Sequence, residues 1–157
     1  MSLLASTFKS PIGSLNLLAD DQILIGANLS TIAAFKAGAD VKVVKSIPVI
    51  SDLISDYFDG DLTALNGIHV RQPGAAFSQA AWKAMRKVPP GKALSYADLA
   101  TKAGSPAAVR AAGSACANNA IMLVVPCHRI VKTGGALGNY AYGVDKKQWL
   151  LSHEGFL

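Results

Sequence analysis

The segment Pro126-Cys127-His128-Arg129 sets a thiol directly before an imidazole and a guanidinium. A thiol near neutral pH is mostly protonated and only its thiolate is a strong nucleophile, so a reactive cysteine needs a base or a positive field beside it. His128 offers the base and Arg129 the field. Neighbours on a regular helix or strand point away from each other, so a thiol-imidazole link here requires an irregular turn or a bridging water, and Pro126 favours such a turn. An imidazole acting as a base needs a carboxylate to fix its tautomer and stabilise its charged form. Glu154 is the only glutamate in the sequence, which makes it the candidate. The same residues also fit a buried inert thiol beside a surface imidazole, with Glu154 an ordinary helix end. Metal binding is the weaker reading: adjacent Cys and His are poorly spaced for one ion, and the sequence has no Cys-x-x-Cys or His-x-x-x-His. No metal is expected.

Stepping outward, the residues before Cys127 have the form of a helix-turn-helix. Phe77, Ala80, Ala81, Ala84, Met85 and Val88 recur at helical spacing up to Pro89-Pro90-Gly91. Ser95-Tyr96-Ala97-Asp98 is a capping box opening a helix over Tyr96 to Lys102. Ser105 and Pro106 suit the cap and first turn of a third helix running to Ala117. That third helix is made of small residues. A wheel puts Val109, Ala112, Gly113 and Cys116 inward, leaving Ala107, Arg110, Ala111, Ser114 and Asn118 outward. One long cation among small side chains suits close approach to a narrow groove and its phosphates better than base reading in a wide one. Taken alone, the helix is read more readily as a tightly packed helix pair with Arg110 at its solvated edge.

The other elements follow from alternation and turn residues. Thr7 to Lys9, Ser14 to Ala19 and Ile23 to Leu29 read as an antiparallel meander, with turns at Pro11-Ile12-Gly13 and Asp20-Asp21. Ser30 caps a short helix through Phe35, Val41 to Val44 is a strand, and Ile47 to Phe58 carries helical periodicity. Ile121 to Val125 reads as a strand, followed by a glycine-containing loop and a last helix, Lys146 to His153, capped by Asp145. A polar stretch, Asn66 to Ala75, separates two regions. We expect an α/β (α+β) fold with domains at 1-75 and 76-157.

Charge follows the same division. Residues 1-75 hold five Lys/Arg against seven Asp, whereas residues 76-157 hold ten Lys/Arg against two Asp and one Glu, giving −2 and +7 within a total of +5. Either a polyanion partner or a solvated basic face accounts for the second value. No stretch approaches the apolar length of a membrane span and no export signal opens the chain, so no membrane partner is expected and Cys116 and Cys127 are expected as free thiols. Cys116, on the inward stripe, reads as a small core residue, and His69, Trp82 and Trp149 as structural.

Val125-Pro126-Cys127-His128-Arg129-Ile130-Val131 resembles the signature of the 6-O-alkylguanine-DNA alkyltransferases. Ser95 to Ala100, Gly104 to Gly113, Asn119, Gly138-Asn139-Tyr140 and Trp149 to Gly155 resemble that family too, as do Ser10-Pro11-Ile12-Gly13 and Asp56 to Gly60. The resemblance implies a small N-terminal RNase H-like α/β domain before a helical, winged-helix-like C-terminal domain whose helix-turn-helix binds the DNA minor groove. It implies DNA repair by stoichiometric transfer of an alkyl group to Cys127, from the 6-oxygen of guanine and also the 4-oxygen of thymine. Glu154 would orient His128, which deprotonates Cys127 through a water, with Asn119 in support. Arg110 would fill the gap left by the flipped nucleotide, and Tyr96 would contact the base and supply a proton. Cys127 and Ile130 carbonyls would accept from the guanine amino group, with Tyr140, Ala141 and Tyr142 forming the pocket. Ala107, Arg110, Ala111, Ser114 and Arg129 would contact DNA.

Two positions depart from the family's pattern. Some relatives have serine where Ala141 stands and glycine where Tyr142 stands, so Tyr142 should narrow the pocket against bulky alkyl groups. Some relatives bind zinc through N-terminal cysteines; residues 1-115 contain none. The expected partner is double-stranded DNA containing alkylated guanine. No cofactor and no obligatory protein partner are expected, with the chain a monomer, and none is inferred after Leu157. Its location would be cytoplasmic, or nuclear in a eukaryote. A thiol hydrolase would instead turn over many substrates, and a sensor of alkylated guanine would lack the cysteine.

Overall fold

The computed structural model describes residues 3-157. These form two compact units: residues up to Gln72 with Ala120–Val124, and Pro73–Asn119 with Val125–Leu157.

The first unit is built on the meander β1 (Leu3–Ser10), β2 (Gly13–Asp20) and β3 (Ile23–Asn28). β4 (Val41–Val43) adds in parallel to β1, and β5 (His69–Val70) in parallel to β3, giving a mixed sheet ordered β4-β1-β2-β3-β5. β2 lies at the centre and is buried from Leu15 through Ala19, polar Asn16 included. Asn16 is tolerated there because its Nδ2 donates to Asn28 Oδ1 at 3.0 Å while its Oδ1 accepts from the Thr7 hydroxyl at 2.7 Å. α1 (Ile50–Phe58) presses Ile50, Ile54 and Tyr57 into this unit's core.

The apolar run Ile121 to Val125, expected as a strand, forms no ladder. It makes one parallel bridge, Ala27 to Ile121, and Leu123 takes a left-handed φ of 75° that breaks extension. The run is apolar because it is buried, and a short apolar run does not by itself distinguish a strand from any other buried segment.

The second unit contains α2 (Ala76–Arg86), α3 (Tyr96–Lys102), α4 (Val109–Ala117) and α5 (Val144–His153), with a two-stranded parallel pair β6 (Leu94–Ser95) and β7 (Ile130–Val131). The Ser95 cap forms as expected, its hydroxyl accepting from the Asp98 amide at 3.0 Å. α4 starts later than Ser105 and Pro106 suggest. Those residues form a separate turn, closed by the Ala108 amide on the Ser105 carbonyl at 2.9 Å, and the helix opens at Val109. Its inward face is correspondingly Ala112 and Ala115, while Val109 is exposed and Cys116 half-buried, correcting the expected stripe. The Trp82 indole fastens α2 to α4 by donating to the Ala115 carbonyl at 2.9 Å. α5 begins after Gly143 and carries Asp145 in its first turn. Among the described residues no helix is long and apolar enough to cross a membrane.

Candidate active site

Cys127, His128 and Arg129 form one 3-10 turn immediately before β7. Pro126, with φ −85° and ψ 69°, belongs to neither helix nor strand and sets the turn. Three consecutive side chains therefore leave the backbone in different directions. Cys127 is 7% exposed and lines a cavity of about 720 Å³, whereas His128 is fully buried.

Glu154, just past α5, meets the other side of this turn. Its Oε2 accepts from His128 Nε2 at 2.8 Å, and the Arg129 guanidinium straddles the same carboxylate through Nε at 2.7 Å and Nη2 at 3.0 Å. Burial pushes the Glu154 carboxyl up, but hydrogen bonds from His128 and Arg129 outweigh it and hold the group well below the usual carboxylate range. Burial likewise pulls His128 below its ordinary value, against the pull of Glu154. The consistent state is an ionised Glu154 accepting from a neutral imidazole whose hydrogen sits on Nε2. Nδ1 then carries the lone pair, and it is buried with no hydrogen-bond partner among the described residues. Gly91 packs against the Glu154 backbone: at φ +86° a side chain is strained, and a Cβ would stand 3.1 Å from the Glu154 carbonyl oxygen.

Arg129 is thus not a DNA contact. It is 4% exposed, and its remaining Nη1 donates to the Val88 carbonyl at 2.8 Å, so the guanidinium is consumed inside the fold. The expectation for this residue is corrected: a cation flanked by buried apolar residues must find its partner internally.

Around the thiol, Asn119 donates Nδ2 to the Val125 carbonyl at 2.8 Å and also hydrogen-bonds Cys127. Burial pushes the Cys127 thiol up; the Asn119 bond and the charge of Lys147 draw it down. Lys147, which the sequence reading did not single out, also stands close to this site. It is wholly buried on α5, donating Nζ to the Ile130 carbonyl at 2.6 Å and the Asn139 carbonyl at 3.3 Å, and standing 6.0 Å from the centre of the Tyr96 ring. The sequence did hold a signal, since Lys147 sits three and four residues before buried Leu150 and Leu151, on their face of the helix.

The cavity is lined by Tyr96, by Arg110, Ser114 and Cys116 of α4, and by the loop residues Tyr140 and Ala141. Tyr96 is half-buried, and burial followed by the nearby Cys116 and Cys127 thiols pushes its hydroxyl up to about 12, so at neutral pH it holds its proton. Gly138 suits its place: at φ +77° a side chain is strained, and a Cβ would stand 3.1 Å from the Tyr96 oxygen. Tyr142 packs edge-on to Tyr140, ring centres 5.8 Å apart, close enough to Cys127 that burial and the thiol push its phenol up. Ile130 is buried, its carbonyl already accepting from Lys147 and retaining one lone pair. Arg110 is exposed at this cavity, and Ala107, Ala111 and Ser114 are exposed near it in sequence. Cys116, expected in the core, instead shares the cavity with Cys127. One cavity thus brings together a thiol, a phenol and an exposed arginine, while the hydrogen-bonded Glu154–His128 pair lies buried on the turn that carries the thiol.

A family model described as "6-O-methylguanine DNA methyltransferase, DNA binding domain" matches residues 76–156. A methylated-DNA–protein-cysteine methyltransferase of Shigella flexneri is 33% identical across 100% of this chain and 98% of its own length. One from Salmonella typhimurium is 43% identical over 69% of this chain, and the match spans 63% of that protein. The crystal structure of Mycobacterium tuberculosis OGT in complex with DNA superposes with a TM-score of 0.87 at 31% identity, covering 97% of this chain and 92% of that one.

Proposed function

Because the chain belongs to the 6-O-methylguanine DNA methyltransferase family, we propose that it repairs double-stranded DNA by moving an alkyl group from the 6-oxygen of guanine onto its own Cys127. The observation that carries this reading is the buried Glu154–His128 pair adjoining a cysteine that opens into a cavity.

The chemistry follows from the positions of the groups. His128 Nδ1 takes the Cys127 proton, directly or through a water, while Glu154 holds Nε2–H and stabilises the imidazolium. The thiolate attacks the alkyl carbon opposite the oxygen, so that a sulfur–carbon bond forms as the carbon–oxygen bond breaks and its electron pair stays with guanine. Tyr96 gives the departing base a proton and regains one from solvent. The product thioether resists hydrolysis, so each molecule acts once, with no cofactor.

A guanine stacked in a duplex cannot reach a thiol that is 7% exposed, so the nucleotide must turn out of the helix. Arg110 fills the place it leaves, and small Ala107, Ala111 and Ser114 let α4 approach the minor groove closely. Cys127 and Ile130 offer their remaining carbonyl lone pairs to the guanine amino group, and Ala141 its amide to the oxygen. The 4-oxygen of alkylated thymine presents the same bond and is a second substrate. The chain acts as a monomer wherever chromosomal DNA lies.

Intact-mass spectrometry after incubation with duplex DNA containing methylguanine tests this. One methyl group on Cys127, absent in Cys127→Ser, is the expected result. An unmodified protein, or many bases repaired per molecule, refutes it.

A further inference from the structure

The second unit carries another cavity, of about 540 Å³, which shares no lining residue with the one at Cys127. Its floor is apolar, formed by Ala84, Val88 and Leu94. Lys83, Lys87, Lys92 and Lys102 surround it, all exposed, and no Asp or Glu lines it. Among the described residues none of these four lysines is in an ion pair. Lys83 and Lys87 stand at i and i+4, a spacing at which like charges repel. α2 and α3 both end at this cleft, and their C-termini together offer about one negative charge. Four ammonium groups therefore leave a clear positive excess over an apolar hollow.

We propose that this cleft docks an acidic peptide segment of a partner protein, seating an apolar side chain on the floor and its carboxylates on the lysines. Nucleic acid suits it less well. A duplex backbone offers phosphates and sugars, which leave an apolar hollow unfilled. The volume falls within the roughly 300–1,000 Å³ of pockets that enclose a compact ligand, enough for a short run of side chains. The charge raises the encounter rate and the floor supplies the desolvated anchor.

The test uses the full chain and a short fluorescein-labelled peptide alternating Asp and Leu and ending in Phe, with its Asn-for-Asp analogue as control. Fluorescence anisotropy should show salt-sensitive binding of the acidic peptide. Binding should weaken at least about ten-fold in the Lys87→Glu/Lys92→Glu variant. It should weaken equally in Ala80→Trp, which fills the hollow without altering charge. Methyl transfer to Cys127 stays unchanged in both variants, which shows that they fold. Equal affinity for the neutral analogue, no binding, or an unaffected lysine variant overturns the proposal. So does displacement of the peptide by undamaged duplex together with equal loss of duplex affinity in both variants, which assigns the cleft to nucleic acid. Self-association lost in both variants assigns it to a second copy and also overturns it.

Discussion

Replacing Arg129 by methionine separates an internal clamp from a DNA contact. The guanidinium makes three hydrogen bonds inside the fold, two to Glu154 and one to the Val88 carbonyl. Methionine has similar reach but donates nothing, so the fully buried Glu154 carboxylate loses its guanidinium partner. Stranding one partner of a buried ion pair costs about 3–5 kcal/mol. At about 2–4 °C per kcal/mol for a chain of this size, the melting temperature should fall by roughly 6–20 °C. A second effect is chemical. The positive charge of Arg129 helps to hold His128 low, so its removal raises the imidazole and moves the acid limb of the alkyl-transfer rate to higher pH. Affinity for undamaged duplex should stay within about twofold, since the side chain is 4% exposed. Thermal melts, a single-turnover pH profile and a DNA titration in increasing salt read the three quantities. A melt changed by no more than about 0.5 kcal/mol equivalent, with a salt slope reduced by about 0.9, would refute the clamp and return Arg129 to the DNA surface.

Arg110→Ala should slow repair in duplex DNA far more than reaction with the free methylated base; equal losses would mean that Arg110 does not occupy the flipped nucleotide's place. Tyr142→Gly should raise the rate with benzylguanine relative to methylguanine, and an unchanged ratio would remove Tyr142 from the determinants of pocket width. Stability should fall in two stages on acidification. His128 is lowered by burial, so the unfolded chain gains a proton near its ordinary 6.5 that the folded chain refuses, and stability declines below that pH. Glu154 is held below its ordinary 4.5, so a further loss follows under that value, and a melting temperature flat from about pH 8 to about pH 2 contradicts both. Lys147→Met should slow alkyl transfer and move its rise with pH upward, because Lys147 draws the Cys127 thiol down; a rate and pH profile like those of the unaltered chain would remove Lys147 from thiol activation.

Rarity made part of the site legible. A lone glutamate, a Pro-Cys-His run and a capping box are distinctive in type and spacing, and Cys127, His128, Glu154 and the Ser95 cap could be picked out before any fold was known. The meander was legible because turn residues punctuate it. What failed did so where tertiary context overrides a local signal. Ser105 and Pro106 carry every mark of a helix start but serve a preceding turn, and this one-element error rotated the expected face of α4 and put Cys116 in the core. Ile121 to Val125 is apolar through burial and not through pairing. Arg129 was read by its charge, although its neighbours Val124 to Val131 are all buried.

Lys147 shows how these buried charges fit together. Arg129 and Glu154 cancel, so the pair contributes no net charge beside the imidazole. Lys147 has no carboxylate partner among the described residues; two carbonyls and the Tyr96 ring are what it has. Burial pulls its ammonium down, and the two cysteines of the cavity push it back up. That relation is reciprocal, since Lys147 draws both thiols down. Burial holds the Cys127 thiol above its ordinary value, so the resting sulfur is neutral, and Lys147 acts when the proton leaves: its charge favours the thiolate, and the thiolate in turn favours the charged ammonium. An alkylated sulfur is a neutral thioether that cannot become an anion, so in the proposed reaction the same step that removes the nucleophile removes the counter-charge that Cys127 could offer Lys147.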